Sequence, residues 1–404
     1  MDTLRIMQIG IGGYGMQYLN PILSGALPKG CELVGVVDPI AEKSPVYEQI
    51  KSRGIPVYGS IEDFYAQDQA DLCIIAAPIG LHARYSIYAM EHGSHVLCEK
   101  PVAATVNEAE QMRAAEKKTG KFVAVGFQWS FCDAMLAAKR DYLAGKFGKA
   151  LAFKAHILWR RDWEYFARNN WAGKFRDASG GWILDSVAQN ATAHYLHNMY
   201  FMMGTGIDVS AFPQKLRCEL YRANEIENFD TCALRVKTDV GAEILYLAAH
   251  PLETQTPVTL EYRYENCTLR YENDLLIGTF KDGHEKNYGP VNQNATTMRK
   301  LSACIQAICN GGAIPCTIQT ALAHLTTINM LADFVPIYDF PSDMVVRDPV
   351  QRLTYVPQLR EALETCYARE ALPFEAGYAW AHESDILSVP EHYSFSGARI
   401  LQNQ

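Results

Sequence analysis

The sequence predicts an α/β protein with two architectures in tandem: an N-terminal Rossmann domain on a doubly wound parallel sheet, then an α+β domain with a large, mainly antiparallel open sheet. Three observations predict it. A Gly-x-Gly-x-x-Gly turn, Gly10, Gly12 and Gly15, follows an apolar run near the N-terminus. Apolar runs of strand length then alternate with helix-like segments as far as Val125, as in a parallel sheet covered on both faces. Beyond that, alternating apolar and polar residues recur at 150–159, 231–236, 242–248 and 258–271, the pattern of half-buried antiparallel strands.

Each part of the glycine turn has a physical use. Gly10 permits a tight turn, Gly12 lets a diphosphate approach the backbone, and Gly15 lets helix pack against strand. Gly13 and Tyr14 complete the loop, and the helix that follows offers free N–H groups and its positive dipole end to an anion. Residue 21 is a proline, which should kink or shorten the predicted helix over 16–27. A second apolar strand, 32–37, ends in Asp38, about 20 residues past the last glycine, where a ribose-binding carboxylate belongs. That carboxylate can accept from both ribose hydroxyls of NAD and would repel the 2′-phosphate of NADP. With no arginine beside it, the expected cofactor is NAD rather than NADP.

Composition sets the bounds. The chain has 404 residues, enough for two domains, with 49% hydrophobic and 20% charged residues, in keeping with a soluble enzyme. The net charge of -8 and the absence of a long basic run argue against nucleic acid or an anionic membrane as partners. No apolar stretch approaches the ~20 residues that span a bilayer, and the N-terminus opens on a strand rather than a secretory signal, so a cytoplasmic protein is expected. The eleven cysteines are scattered without a C-x-x-C pair, and no metal is expected.

Glu99-Lys100-Pro101 follows the predicted strand 95–98 directly, at the carboxyl end of a strand in a doubly wound sheet, where ligands bind. A lysine there can hold a substrate oxygen and stabilise its charge as a hydride leaves. The longer pattern is Ala77-Pro78-x-x-x-His82, then His92-Gly93-x-His95-Val96, then Glu99-Lys100-Pro101, then Gly126-Phe127. This resembles the GFO/IDH/MocA oxidoreductases, a family that includes glucose–fructose oxidoreductase and inositol dehydrogenases. The resemblance makes Lys100 the active-site lysine, held in its turn by Glu99 and Pro101, and adds Ala77, Pro78, His82 and Gln128 to the cofactor-binding residues. Two departures stand out: Ile79 where relatives often have Asn, and Gln128-Trp129-Ser130 where they often have Arg.

A second cluster runs from Asn169-Asn170-Trp171 through Gly180-Gly181-Trp182-Ile183-Leu184-Asp185 to Asn190, His194 and His197. On a continuous helix the last three fall at i, i+4 and i+7 and share one face. An imidazole there suits general-base work on a hydroxyl. The family carries Asp-x-x-x-His-x-x-Asp in this region. Counting back from Gly204 puts His194 on the histidine, with Asn190 and His197 replacing the two aspartates; Asp185 offers an alternative carboxylate. Lys100, His194 and Asn190 are therefore the expected catalytic residues, and Trp171, Asp185 and His197 the expected substrate contacts. Trp159, Trp163, Tyr165, Phe166 and Trp182 crowd the same stretch; one or two of these aromatic residues are expected to line the site, where a sugar ring could stack.

The expected domains are 1–127, NAD-binding; 128–340, substrate-binding and oligomerising; and 341–404, a C-terminal extension with one amphipathic segment at 357–370. The expected activity is NAD-dependent oxidation of a secondary alcohol in a sugar, polyol or glycoside, by a homodimer or homotetramer. The alternatives are glycoside cleavage by transient oxidation and elimination, and a catalytically silent nucleotide sensor.

Overall fold

The structure, a computed structural model, describes residues 3–291 and 293–402. The chain forms two units, 1–132 with 292–321, and 133–291 with 322–404. The first thus includes a segment returning from far downstream, which no domain boundary drawn at 127 anticipates.

In the first unit the strands are β1 (Leu4–Ile9), β2 (Cys31–Val37), β3 (Val57–Tyr58), β4 (Leu72–Ile75), β5 (His95–Cys98) and β6 (Val123–Val125). They form one parallel sheet in the order β3-β2-β1-β4-β5-β6, with the reversal between β1 and β4 that opens a crevice at the carboxyl ends. Helices α1 (Met16–Leu23), α2 (Tyr47–Ser52), α3 (Ile61–Gln67), α4 (His82–Glu91) and α5 (Val106–Thr119) connect them. Strand β4 is buried along its whole length, as its unbroken apolar run requires. Helix α1 contains Pro21 and stops at Leu23, four residues short of the predicted span. Thr105 and Glu108 close a capping box at the start of α5, and Gly120, at φ 70°, ends it. Ile11, Leu19, Leu23, Val36 and Ile50 form one apolar layer of this unit.

The second unit begins with α6 (Asp133–Leu143), β7 (Ala150–Leu158), α7 (Trp163–Ala167) and α8 (Ala193–Met203). Strands β8 (Pro213–Arg222), β9 (Thr231–Thr238), β10 (Glu243–Ala249), β11 (Thr259–Tyr264), β12 (Cys267–Glu272), β13 (Leu275–Phe280) and β14 (Glu285–Pro290) follow. The run at 258–271 resolves into the hairpin β11–β12, turning at residues 265–266. Next comes α9 (Gln293–Asn310), in the first unit, and then α10 (Ile318–Phe334), within which the chain re-enters the second. The backbone N–H of Val125, in β6, donates to the Cys316 carbonyl at 2.9 Å, fastening the returning segment beside the parallel sheet. The remainder is β15 (Ile337–Asp339), β16 (Val346–Asp348), β17 (Leu353–Tyr355), α11 (Leu359–Arg369), β18 (Leu387–Ser388) and α12 (Ala398–Gln402).

The large sheet runs β14-β13-β12-β11-β7-β10-β9-β8-β15, with β18 also paired to β8. Among the described residues, only the β7–β10 and β8–β15 pairs of this sheet are parallel. The C-terminal segment is part of this unit. Leu359, Leu363 and Cys366 of α11 are buried with Leu158, Leu245, Leu247 and Ala249 of the sheet. Among the described residues no helix is long and apolar enough to cross a membrane.

Candidate active site

In the first unit the glycine turn has the shape its sequence predicts. Gly10 sits at φ +82°, and a Cβ there would fall 2.4 Å from the Ala76 carbonyl oxygen. A Cβ on Gly15 would fall 2.1 Å from the Gly10 carbonyl oxygen, so only glycine lets the turn close on itself. Around Gly12 and Gly13, by contrast, nothing lies within 4 Å of such a Cβ. Gly10 and Gly15 are therefore glycines for the fold, while the space at Gly12 is what an approaching diphosphate requires.

Two side chains set the loop. Asp38 Oδ2 accepts the Ile11 N–H at 3.0 Å, tying the end of β2 to the turn. Gln8, fully buried in β1, donates through Nε2 to the carbonyls of Gly10 and Gly15, each at 2.9 Å. Sequence reasoning missed Gln8; its signal is a lone amide inside the apolar run 6–9. The turn, the open space and the half-buried Asp38 carboxylate together fit a dinucleotide.

The residues after β4 and β5 are bound to each other. His82 is buried, with Nδ1 2.7 Å from the Pro101 carbonyl oxygen and Nε2 2.9 Å from that of Ala77. Burial lowers its pKa below the usual imidazole range, against the pull of those two carbonyls. His82 thus braces the Ala77-Pro78 loop against the Glu99-Lys100-Pro101 turn, whose Lys100–Pro101 peptide is cis. The Tyr14 hydroxyl donates to Gln128 Oε1 at 3.0 Å, bringing together two more of the expected cofactor residues.

In the second unit Asp185 is the hub. It is 3% exposed and accepts the Gly173 N–H at 2.6 Å and Asn190 Nδ2 at 2.8 Å. Arg168 Nη2 stands 3.6 Å from the same carboxylate, and its guanidinium lies 3.8 Å over the Tyr165 ring and 5.4 Å from that of Trp171. Trp171, Asp185 and Asn190 are therefore one cluster organised by Arg168. Leu184, just before the hub, holds φ +54°, a conformation uncommon for a branched side chain outside constrained sites.

The shared helical face of Asn190, His194 and His197 is not what forms. Ser186 caps a wide π-type turn over Val187–Ala191, and Thr192 Oγ1 donates to the Val187 carbonyl at 2.6 Å instead of letting the helix run on. Helix α8 starts only at Ala193, so Asn190 lies outside its register and turns to Asp185. His194 is on the first turn of α8, 9% exposed. His197 is fully buried, stacked on Phe201, and burial next to His324 and Lys139 holds its pKa well below the usual range. Such a side chain offers no surface to a solute. Beside α7 a cavity of about 430 Å³ is lined by Trp163, Phe166, Asn224, Glu225, Arg347 and Thr354. Lys100 belongs to the first unit and His194 to the second. Among the described residues no group of three or more His, Cys, Asp and Glu side chains could hold a metal ion.

Residues 4–127 match the model of the GFO/IDH/MocA family, described as an oxidoreductase family with an NAD-binding Rossmann fold. It is the family that the motifs of this stretch resemble. Levoglucosan dehydrogenase of Pseudarthrobacter phenanthrenivorans is 30% identical over 187 residues, which are 45% of this chain and 47% of that protein. The NAD(+)-dependent scyllo-inositol 2-dehydrogenase of Bacillus subtilis is 29% identical over 199 residues, 48% of this chain and 54% of its own. The chain spans about half the length of the curated relatives it matches. The crystal structure of an oxidoreductase domain protein from Kribbella flavida aligns with TM-score 0.68 and 17% identity over 97% of this chain and 100% of that one, a likeness of fold.

Proposed function

We propose that this chain is an oxidoreductase of the GFO/IDH/MocA kind, NAD-dependent and acting on a secondary alcohol of a sugar, polyol or glycoside. The observation that carries the reading is Lys100 at the carboxyl end of β5, in a sheet whose glycine turn leaves room at Gly12 for a diphosphate. The relatives named for levoglucosan and scyllo-inositol support the substrate class. The backbone of Gly12 and Gly13 would hold the diphosphate and Asp38 the ribose, while Ala77, Pro78 and Gln128 flank the crevice. When bound, the nicotinamide supplies a hydride acceptor. The Lys100 ammonium holds the substrate hydroxyl oxygen and stabilises negative charge on it. His194 is the candidate acceptor for the hydroxyl proton. The Arg168–Asp185–Asn190 cluster, with Trp171, offers donors, an acceptor and a flat apolar face, the groups by which a polyhydroxylated ring is recognised.

NADH absorbance across a panel of sugars, anhydrosugars and inositols tests this. Turnover is expected with at least one, and Lys100→Ala should lower kcat/KM by about 100-fold or more. An undiminished Lys100→Ala enzyme would sink the mechanism. Release of an aglycone without net NADH would favour the elimination route, and NAD binding without any turnover the sensor.

A further inference from the structure

Behind the Lys100 turn lies a charged residue that no motif announces. Helix α9 brings Lys300 into the first unit, where its side chain is 0% exposed. Lys300 Nζ donates to Glu99 Oε1 and stands 3.4 Å from both the Tyr14 hydroxyl and the Gly126 carbonyl oxygen. The Tyr18 hydroxyl donates to the same carboxylate oxygen at 2.5 Å. The other oxygen of Glu99 accepts the backbone N–H of Lys100 at 3.3 Å. Gly126 makes the space for this arrangement, since a Cβ there would fall 2.7 Å from Glu99 Oε2. Burial works against the ammonium, but Glu99 and Tyr14 outweigh it and raise the Lys300 pKa. Burial and the Glu99 charge push the Tyr18 phenol well up, so it stays a neutral donor.

A buried ion pair is a weak device for stability, because well-packed apolar residues of similar volume often do as well. What it supplies is a fixed direction for each group. Here Glu99 is held by one oxygen from α9 and holds with the other the main chain of Lys100. Tyr14, on the glycine turn, touches the same ammonium.

We propose that Lys300 is a positioning residue for the hydride-transfer site, acting through Glu99 to fix the backbone from which Lys100 projects. Its chemical consequence rests on the oxidoreductase reading above; its geometric content does not. Lys300→Met alone strands a buried carboxylate and is expected to lower the melting temperature sharply. The informative variant is Glu99→Gln with Lys300→Met, which removes both charges at nearly constant volume. It should fold and bind NAD, yet lose about tenfold or more in kcat, with KM for the alcohol within about twofold. A second readout is independent of turnover. Lysines are dimethylated with ¹³C-formaldehyde, and the Lys100 signal is assigned by its loss in Lys100→Arg. That signal should differ in chemical shift and titration midpoint between the parent and the double variant. A double variant with parental kcat, or with an unmoved Lys100 signal, overturns the proposal. If the parent oxidises no alcohol at all, the oxidoreductase reading fails and the Lys100 signal alone decides the positioning role.

Discussion

Glycines in one turn have opposite reasons for being glycine, and substitution separates them. Alanine at residue 15 would drive its Cβ to 2.1 Å from the Gly10 carbonyl, backbone against backbone, so the turn must open. Alanine at residue 12 meets nothing within 4 Å, and that residue's φ of -105° suits any side chain. Gly15→Ala is therefore expected to cost about 2 kcal/mol or more of stability, whereas Gly12→Ala should leave the urea midpoint unchanged and weaken NAD binding about tenfold or more. Denaturant titration beside NAD titration checks both; a Gly12→Ala protein with parental affinity would mean that the open space is not the diphosphate's. At this scale the motif was legible because each glycine answers a local steric demand. Lys300 was not, since a lone lysine in an ordinary helix carries no local mark of burial, and Glu99, which explains it, stands 201 residues earlier.

Elements were legible where their apolar period is unbroken and illegible where a short polar side chain competes with the backbone. Residues 190, 194 and 197 have helical spacing, yet Ser186 and Thr192 bond locally and insert a wide turn, so Asn190 faces Asp185. The amphipathic stripe of α11 was readable from Leu359, Leu363 and Cys366, but its docking place on β7 and β10 depends on residues 100 and more positions away. That docking has two parts of unequal weight. Leu363 is fully buried, and Leu363→Ala should cost about 3 kcal/mol. Glu370 pairs with Lys154 and Arg263 across the sheet surface, with its side chain 38% exposed, and Glu370→Gln should cost less than about 1 kcal/mol. Urea unfolding of both variants decides it; equal losses would mean that charge rather than apolar contact fastens the C-terminal segment.

Across the whole molecule, burial of histidine in the second unit makes the fold acid-sensitive. His156 and His250 are held down to about 4 and about 3, each mainly by burial, and His197 well below the usual range by the same cause. A histidine whose folded pKa is depressed takes up its proton on unfolding, so its contribution is present above about pH 6.5 and is lost as pH falls below that value. Each such group removes up to about 1.4 kcal/mol per pH unit. Asp230 works the other way: burial raises it to about 6, so the folded state takes up a proton first and gains stability as pH falls through that value. With His82 and His95 of the first unit also depressed by burial, the histidines outweigh Asp230, and the net loss between pH 6.5 and 5.5 is about 2 kcal/mol or more, a sizeable share of an ordinary folding free energy. Urea unfolding at pH 7.5, 6.5 and 5.5 should show a flat upper interval and a falling lower one. His156→Phe, which keeps a ring against Tyr367, 4.7 Å away between centroids, should make the fall shallower by about 1 kcal/mol over that interval. A midpoint at pH 5.5 equal to that at 7.5, in parent and variant alike, would show that these imidazoles are solvated in ways their burial denies.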